Sequence, residues 1–242
     1  MDIFRLQSGF KNRLNELKGT SPFYLVHLVL IFSVVFLFRL LEFLRVKLII
    51  IKYPHLLNLF KVRENKKFWH ILALGHWETQ RFLTLKHLVK KQDIIFDVGA
   101  WNGVYSLFIS KLVCKKGKGY RFEPDPMAMQ LLKTNIKFNG NINTKLENLA
   151  VSNTEGKEIF HILGEGGNSE SFFNKAKEIN RSKLTSRKLL IETTSLDRYC
   201  SINIIIPNGI KIDVEGAETM VFHGLENIIR TYKPWISLEF HG

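Results

Sequence analysis

Cysteine is nearly absent: Cys114 and Cys200 lie far apart and in no pairing motif. That excludes a disulfide framework and a zinc-type spacing, and makes a reducing compartment the default reading. Internal repeats and low-complexity tracts are lacking too, so nothing points to a repeat array or a disordered tail. Asn180-Arg181-Ser182 is the one glycosylation-type triplet, which chance supplies often enough to carry no weight. Acidic residues are scarce in one part of the chain only. Residues 1–92 hold 16 Lys or Arg against 5 Asp or Glu, and residues 93–242 hold 19 against 17, so +11 of the net +13 sits at the N-terminal end. A uniformly basic domain would suggest nucleic acid. Charge bunched around an apolar segment suggests an anionic membrane surface instead. The 45% apolar and 24% charged content of these 242 residues is ordinary for a globular chain with one sizeable core and some additional element.

That apolar segment is SPFYLVHLVLIFSVVFLF, residues 21–38, where from Phe23 to Phe38 only His27 and Ser33 interrupt. Thr20 or Ser21 suits a helix cap and Pro22 its first turn. RLLEFLRVKLIII keeps a helical pattern while mixing in Arg39, Glu42, Arg45 and Lys47, and Pro54 reads as a stop. A bilayer span needs roughly 20 mostly apolar residues, which Phe23 to about Leu44 supplies if Arg39 snorkels. The reading is a basic segment over 1–22, a transmembrane or membrane-anchor helix over 23–53, and a helical linker over 54–92. A monotopic or re-entrant anchor and a buried helix of a soluble domain are the alternatives, whereas a cleaved signal peptide is disfavoured because no small-residue cleavage site follows. Residues 39–67 carry eight Lys or Arg against four in residues 1–20. This places the chain as a single-pass membrane protein whose C-terminal domain faces the cytosol.

After residue 93 a regular alternation begins. DIIFDV is a short buried strand, and Gly99 to Gly103 makes a turn. VYSLFISKLVCKK reads as a helix, and GKGYRFEPDP as a strand ending at Glu123. PMAMQLLKTNIKFNG is again a helix, TKLENLAV a third strand. This β-α-β-α-β spacing belongs to parallel crossovers. Residues 154–192 break the rhythm, with TEGKEIFHIL and RKLLIETTSLDRYC as paired strands around a polar loop. GIKIDVEG, AETMVFHGLENIIRTYK and PWISLEF then resume it as strand, helix and strand. The fold class expected is α/β, a Rossmann-like doubly wound, mostly parallel sheet with a β insertion and an N-terminal membrane helix. FWHILALGHWETQRFLTLKHLVKKQD, before the first strand, reads as one or two helices broken at Gly75.

In such sheets ligands bind beyond the carboxyl ends of the strands, near the point where strand order reverses. FDVGAWNGVY, residues 96–105, lies at that end of the first strand. Its two glycines allow positive φ and close backbone approach, and the next helix offers unsatisfied N–H groups to an anion. The spacing is D-V-G-x-x-x-G rather than G-x-G-x-x-G, and Trp101 stands where a second glycine would be. A dinucleotide is disfavoured. Glu123, twenty residues after Gly103 at the end of the second strand, can accept hydrogen bonds from both ribose hydroxyls. Glycine turn and acid together say adenosine-containing ligand and leave the reaction open.

The series FDVGAWNG, YRFEPDP, LENLAVSN, TTSLDRY, KIDVEGAE and PWISLEFH, with GHWE at 75–78 before it, resembles the FkbM family of S-adenosylmethionine-dependent methyltransferases. The resemblance covers about residues 75–242, with residues 93–242 as the methyltransferase domain. It implies the class I methyltransferase fold, S-adenosylmethionine as cofactor, and methyl transfer to a hydroxyl oxygen of a glycan or small metabolite. Carried over by motif, Asp97, Gly99, Ala100 and Gly103 form the wall for the methionyl part, and Glu123 holds the ribose. Asn148, Ala150 and Val151 lie along the adenine, and Glu78 touches the cofactor from the preceding helix. Asp213 and Glu215 face the methyl and acceptor.

The residue chemistry agrees with that assignment. Carboxylates match a cationic sulfonium and ammonium, and helix N–H groups match a carboxylate. A hydroxyl acceptor must lose a proton, and Asp213, Glu215, His223 and His241 are candidates. Of these His223 sits in a helix and suits a surface or core role, whereas His241 follows the last strand at the sheet's carboxyl edge. Asp213, Glu215 and Glu218 would offer oxygen ligands to magnesium, but Glu218 lies a helical turn away and suits capping. No metal is expected. The near-neutral charge after residue 93 and the lack of an N-P-P-Y motif argue against nucleic acid as a partner. Class I folds usually continue past the fifth parallel strand, and here the final strands are absent from the sequence. Either the chain is a fragment, or a partner chain covers the open sheet edge, or the domain is degenerate. The last case leaves a second reading, a catalytically inactive binding or scaffold protein built on a truncated methyltransferase domain.

Overall fold

The computed structural model describes residues 33, 48–53, 56, 59–63, 66–140, 143–163 and 186–241. The chain divides into two units, Met1–Lys47 and Leu48–Gly242, and the second carries the fold. Residues 23–47 of the expected anchor lie outside the described residues apart from Ser33. Among the described residues no helix is long and apolar enough to cross a membrane.

The anchor was expected to run helically to residue 53, and its end does not. Leu48–Lys52 is a strand, β1, paired antiparallel with β2, Leu59–Arg63. LIIIK and LFKVR are rich in β-branched and aromatic residues, and β2 alternates exposed and buried positions, the period of a strand with one wet face. The linker is therefore helical only in its second half, as α1 Lys66–Ala73 and α2 Thr79–Leu88. Gly75, at φ +73, makes the expected break between them. The hairpin is fastened to the domain: Tyr53 Oη donates to the Val104 carbonyl at 2.7 Å, and Arg63 N donates to Asn135 Oδ1 at 2.8 Å. Tyr53, Phe60, Trp69, Phe82 and Phe108 are all buried beneath it.

Among the described residues the central sheet has five parallel strands. They are β3 Ile94–Val98, β4 Lys118–Phe122, β5 Thr144–Glu147, β9 Gly209–Ile212 and β10 Trp235–Leu238. Their order is β10-β9-β3-β4-β5. The chain moves outward from β3 through β4 to β5, then returns to β3's other side for β9 and β10, so the order reverses at the β3/β9 pair. Crossover helices α3 Val104–Val113 and α4 Pro126–Phe138 connect the first three strands. Asp125 caps α4 through Met127 N and Ala128 N, with Pro126 in the first turn. The TKLENLAV segment divides: β5 joins the main sheet, and Ala150–Val151, β6, joins a smaller one.

The insertion is the expected antiparallel pair, β7 Gly156–Leu163 and β8 Ser186–Thr194, with β6 parallel to β8. The loop between them, residues 164–185, lies outside the described residues. LDRYC is not strand but the start of α5, Leu196–Asn203, because Ser195 accepts Arg198 N and caps it. The helix expected after β9 is two, α6 Glu218–His223 and α7 Glu226–Tyr232. Gly224 breaks them, and a Cβ there would overlap the Ser152 carbonyl oxygen. Phe96, Val98, Phe122, Leu196, Tyr199, Ile210, Ile212, Val221 and Leu225 form the core on that face of the sheet.

Candidate functional site

The carboxyl ends of β3, β4, β9 and β10 open onto one cavity of about 220 Å³ at the β3/β9 reversal. Of the residues expected in a site, Glu78, Gly99, Ala100, Glu123, Ala150, Val151, Asp213, Glu215 and His241 line it. Asp97, Gly103 and Asn148 do not, and each has a structural task instead.

Asp97 is fully buried in β3, where Ser106 Oγ donates to it at 2.6 Å and Lys211 Nζ lies 3.3 Å away. Gly103 starts α3 at φ +92, and a Cβ there would come within 2.8 Å of Leu132 Cδ1. Asn148 donates to the Glu123 and Pro124 carbonyls at 2.7 and 3.1 Å, bracing the loop after β4. Sequence motifs name positions near a ligand. They do not separate residues that face it from residues that hold those facing it.

Gly99 has a stricter requirement than ligand approach. Its φ is +74, and a Cβ would overlap the carbonyl oxygen of Asp213. The turn after β3 thus packs backbone to backbone on the end of β9. Gly99→Ala is expected to destabilise the domain by about 2–4 kcal/mol, read as a lowered urea midpoint; an unchanged midpoint would mean the two turns are not in contact. Trp101, at φ +47, turns its amide to Glu123 Oε2 at 2.7 Å. Its ring stands at the cavity wall with Phe68, edge to face at 4.7 Å, and Trp77 lies 4.9 Å beyond Phe68. The indole therefore borders the space without filling the turn.

Glu123 is nearly buried, and its other oxygen accepts Asp125 N at 2.9 Å. Burial pushes its carboxyl up to about 7, against the two backbone donors that favour the charge. Across the cavity, His241 Nε2 meets Asp213 Oδ1 at 3.0 Å, and its Nδ1 lies 3.7 Å from Glu215. Burial would raise Asp213, but Lys211, His241 and Arg81 outweigh it and hold this carboxyl below its usual range.

Four further side chains complete this network, none of them among the residues expected in the site. Lys211 is buried in β9, donates to the Gly99 carbonyl at 2.9 Å, and lies 3.5 Å from Asp213. Burial opposes its charge, yet Asp97 and Asp213 keep its pKa above normal. Arg81 on α2 reaches Glu78 at 3.0 Å, Asp213 at 3.4 Å, and Glu239. Tyr105 donates to Glu78, whose carboxyl is raised by burial in spite of that bond and of Arg81. A lysine within GIKI, otherwise apolar and buried, was the one readable signal among the four: a charge in such a strand requires a partner. For Arg81, Tyr105 and Glu239, contacts across more than twenty residues of sequence decide the role.

Asp213, Glu239 and His241 each offer one ligand atom, all within 4.8 Å of one another, a set that could hold a metal ion. Arg81 already gives the two carboxylates a protein cation. Glu218 is elsewhere, buried, accepting Gly216 N at 2.8 Å as a turn-stabilising group. His223 is exposed on α6, paired with Glu226 at 3.1 Å, outside the site.

A family model described as the methyltransferase FkbM domain matches residues 97–242. An uncharacterized protein of Methanocaldococcus jannaschii is 30% identical over 82 residues, which span 33% of this chain and 30% of that protein. Among solved structures, the precorrin-6y C5,15-methyltransferase of Geobacter metallireducens aligns over 66% of this chain and 61% of its own. Its identity is 10% and the TM-score 0.40. An S-adenosylmethionine-dependent methyltransferase of Aquifex aeolicus shares 24% identity over 29% of this chain and 37% of its own, with a TM-score of 0.26. An S-adenosylmethionine-dependent O-methyltransferase of Thermotoga maritima shares 14% over 37% and 45%, with a TM-score of 0.28.

Proposed function

Because this chain belongs to the FkbM methyltransferase family, we propose that it methylates a hydroxyl oxygen of a glycan or small metabolite with S-adenosylmethionine, while held at a membrane by its N-terminal segment. One observation carries the cofactor reading. A single cavity beyond the reversal point holds Glu123 on one side and Glu78, Asp213, Glu215 and Glu239 on the other. Those carboxylates fit a ligand with two cationic groups and a ribose. Val151, Leu149, Phe160 and Pro124 supply an apolar stretch beside Glu123 for a flat heterocycle.

Bound there, S-adenosylmethionine supplies an electrophilic methyl on a sulfonium. Everything else falls to the protein. Glu123 would hold the ribose, and the turn at Gly99 and Ala100 would border the methionyl part. His241 takes the proton that the acceptor hydroxyl loses, and Asp213, kept ionised by Lys211 and Arg81, steadies the resulting imidazolium. Fixing the acceptor in line with the methyl is the remaining contribution.

Isothermal titration with S-adenosylmethionine and with NAD tests the cofactor. Binding of the first alone is expected. Binding of NAD instead would indicate a dehydrogenase-like enzyme, and binding of neither would favour the inactive scaffold. The acceptor class is tested by incubating purified protein and labelled cofactor with native membrane and soluble extracts. Label in a base-stable ether is expected, and label on nitrogen or carbon would refute O-methylation. Membrane attachment with the domain in the cytosol predicts that protease added to sealed right-side-out cells leaves the domain intact.

A further inference from the structure

The opposite end of the sheet, where the strands begin, combines two features that the reaction does not use. The loops entering the strands lie side by side there. Lys118 N bonds the Asp93 carbonyl at 3.0 Å, Gly119 N the Asn143 carbonyl at 2.8 Å, Asn208 N the Ile94 carbonyl at 2.8 Å, and Trp235 N the Asn208 carbonyl at 3.2 Å. On this rim Lys90, Lys91, Lys115, Lys116, Lys118 and Lys233 are all exposed. Asp93 is the one acid among the described residues of these loops, and its carboxylate already accepts Lys90 N at 2.8 Å.

The end of α5 and the loop that follows it into β9, at this same end of the sheet, carry exposed apolar side chains. Ile202, Ile204 and Ile206 are 63%, 91% and 51% exposed. Ile204 closes α5 in the left-handed region, φ +54 and ψ +55, with Ile205 N returning to the Cys200 carbonyl at 3.0 Å. Glycine is the usual residue at that position, and a β-branched side chain there is strained. At 91% exposure the side chain recovers nothing from its own domain.

We propose that this end of the domain docks on an anionic lipid bilayer, the lysines on the headgroups and Ile204 at the acyl boundary. A bilayer accepts both features at once: anionic headgroups attract the lysines, and the interfacial layer takes up exposed isoleucines. Nucleic acid would use the lysines and leave three isoleucines in water. A second copy related by a two-fold axis would bring like charges together. Docked this way, the cavity at the other end of the strands opens away from the bilayer, so the acceptor group is presented from the aqueous side. This surface is independent of the proposed chemistry.

The test uses the full chain with Ile204→Cys in a Cys114→Ser background, labelled with a nitrobenzoxadiazole dye; Cys200 is buried and stays unlabelled. The dye reports residue 204 alone, whatever the N-terminal segment does. With vesicles of equal phosphatidylcholine and phosphatidylserine its emission should shift to the blue and be quenched by spin-labelled acyl chains. Replacing Lys90, Lys91, Lys115 and Lys116 together by glutamate should raise the lipid needed for half the shift by about 100-fold or more. A dye that stays in water, or that responds equally to phosphatidylcholine alone, overturns the proposal. So does the same shift produced by duplex RNA, or by raising protein concentration without lipid. Titration with S-adenosylmethionine reads the cavity separately and is expected to be the same with and without the four lysine changes.

Discussion

Glu123→Ala should weaken S-adenosylmethionine binding by about 100-fold or more, the loss expected for two hydrogen bonds to a charged group. The carboxylate is held by Trp101 N and Asp125 N, one donor to each oxygen. Each oxygen keeps a lone pair for a ribose hydroxyl. Alanine removes the ligand's acceptor and strands two buried amides as well, so thermal unfolding must accompany the titration. A folded variant with unchanged affinity would remove Glu123 from the site. The pH dependence is a second reading of the same group. Burial raises this carboxyl to about 7. It is ionised above that pH and protonated below, and the ionised form is the better acceptor. Cofactor affinity should therefore fall as pH drops through about 7, approaching tenfold per unit on the acid side, and the dependence should vanish in Glu123→Ala. Stability runs the opposite way. A raised carboxyl costs folding free energy once ionised, so its penalty is full above about 7 and is relieved as pH falls toward the unfolded value.

His241→Ala should lower kcat by about 100- to 1,000-fold, within the range ascribed to a positioned base, while leaving the cofactor's Kd within a few-fold. The imidazole sits at the carboxyl end of β10 against Asp213, with Glu215 and Glu239 each 3.7 Å away. Asp213→Asn should reduce turnover similarly. It should also disturb the cofactor, because Asp213 is tied to Lys211 beneath the Gly99 turn. That split distinguishes a proton acceptor from the residue that orients it. Full turnover in His241→Ala would assign the base elsewhere, with Glu215 or Glu239 next in reach of the cavity.

The fold was legible where local chemistry repeats. Short β-branched runs, an Asp-Pro helix start at 125–126 and the glycine turn at 99–103 give the parallel crossovers directly. It was illegible where two signals share one stretch. RVKLIII suits an apolar helix as well as a strand, and pairing with LFKVR across residues 53–58 makes Leu48–Lys52 a strand. TTSLDRYC likewise continued a strand pattern until the Ser195 cap turned it into α5.

For the site, sequence alone determined the elements that carry it: the glycine turn after β3, the acid ending β4, the acids after β9 and the histidine after β10. Those follow from strand ends, and strand ends are local. Tertiary structure alone decided which of them face the cavity. Asp97, Gly103 and Asn148 turn into supports, and Arg81, Tyr105, Lys211 and Glu239 join a network that joins α2, α3, β9 and β10. The reason is physical. A hydrogen bond or ion pair depends on a few ångströms of separation and on burial, and both are set by how distant segments pack.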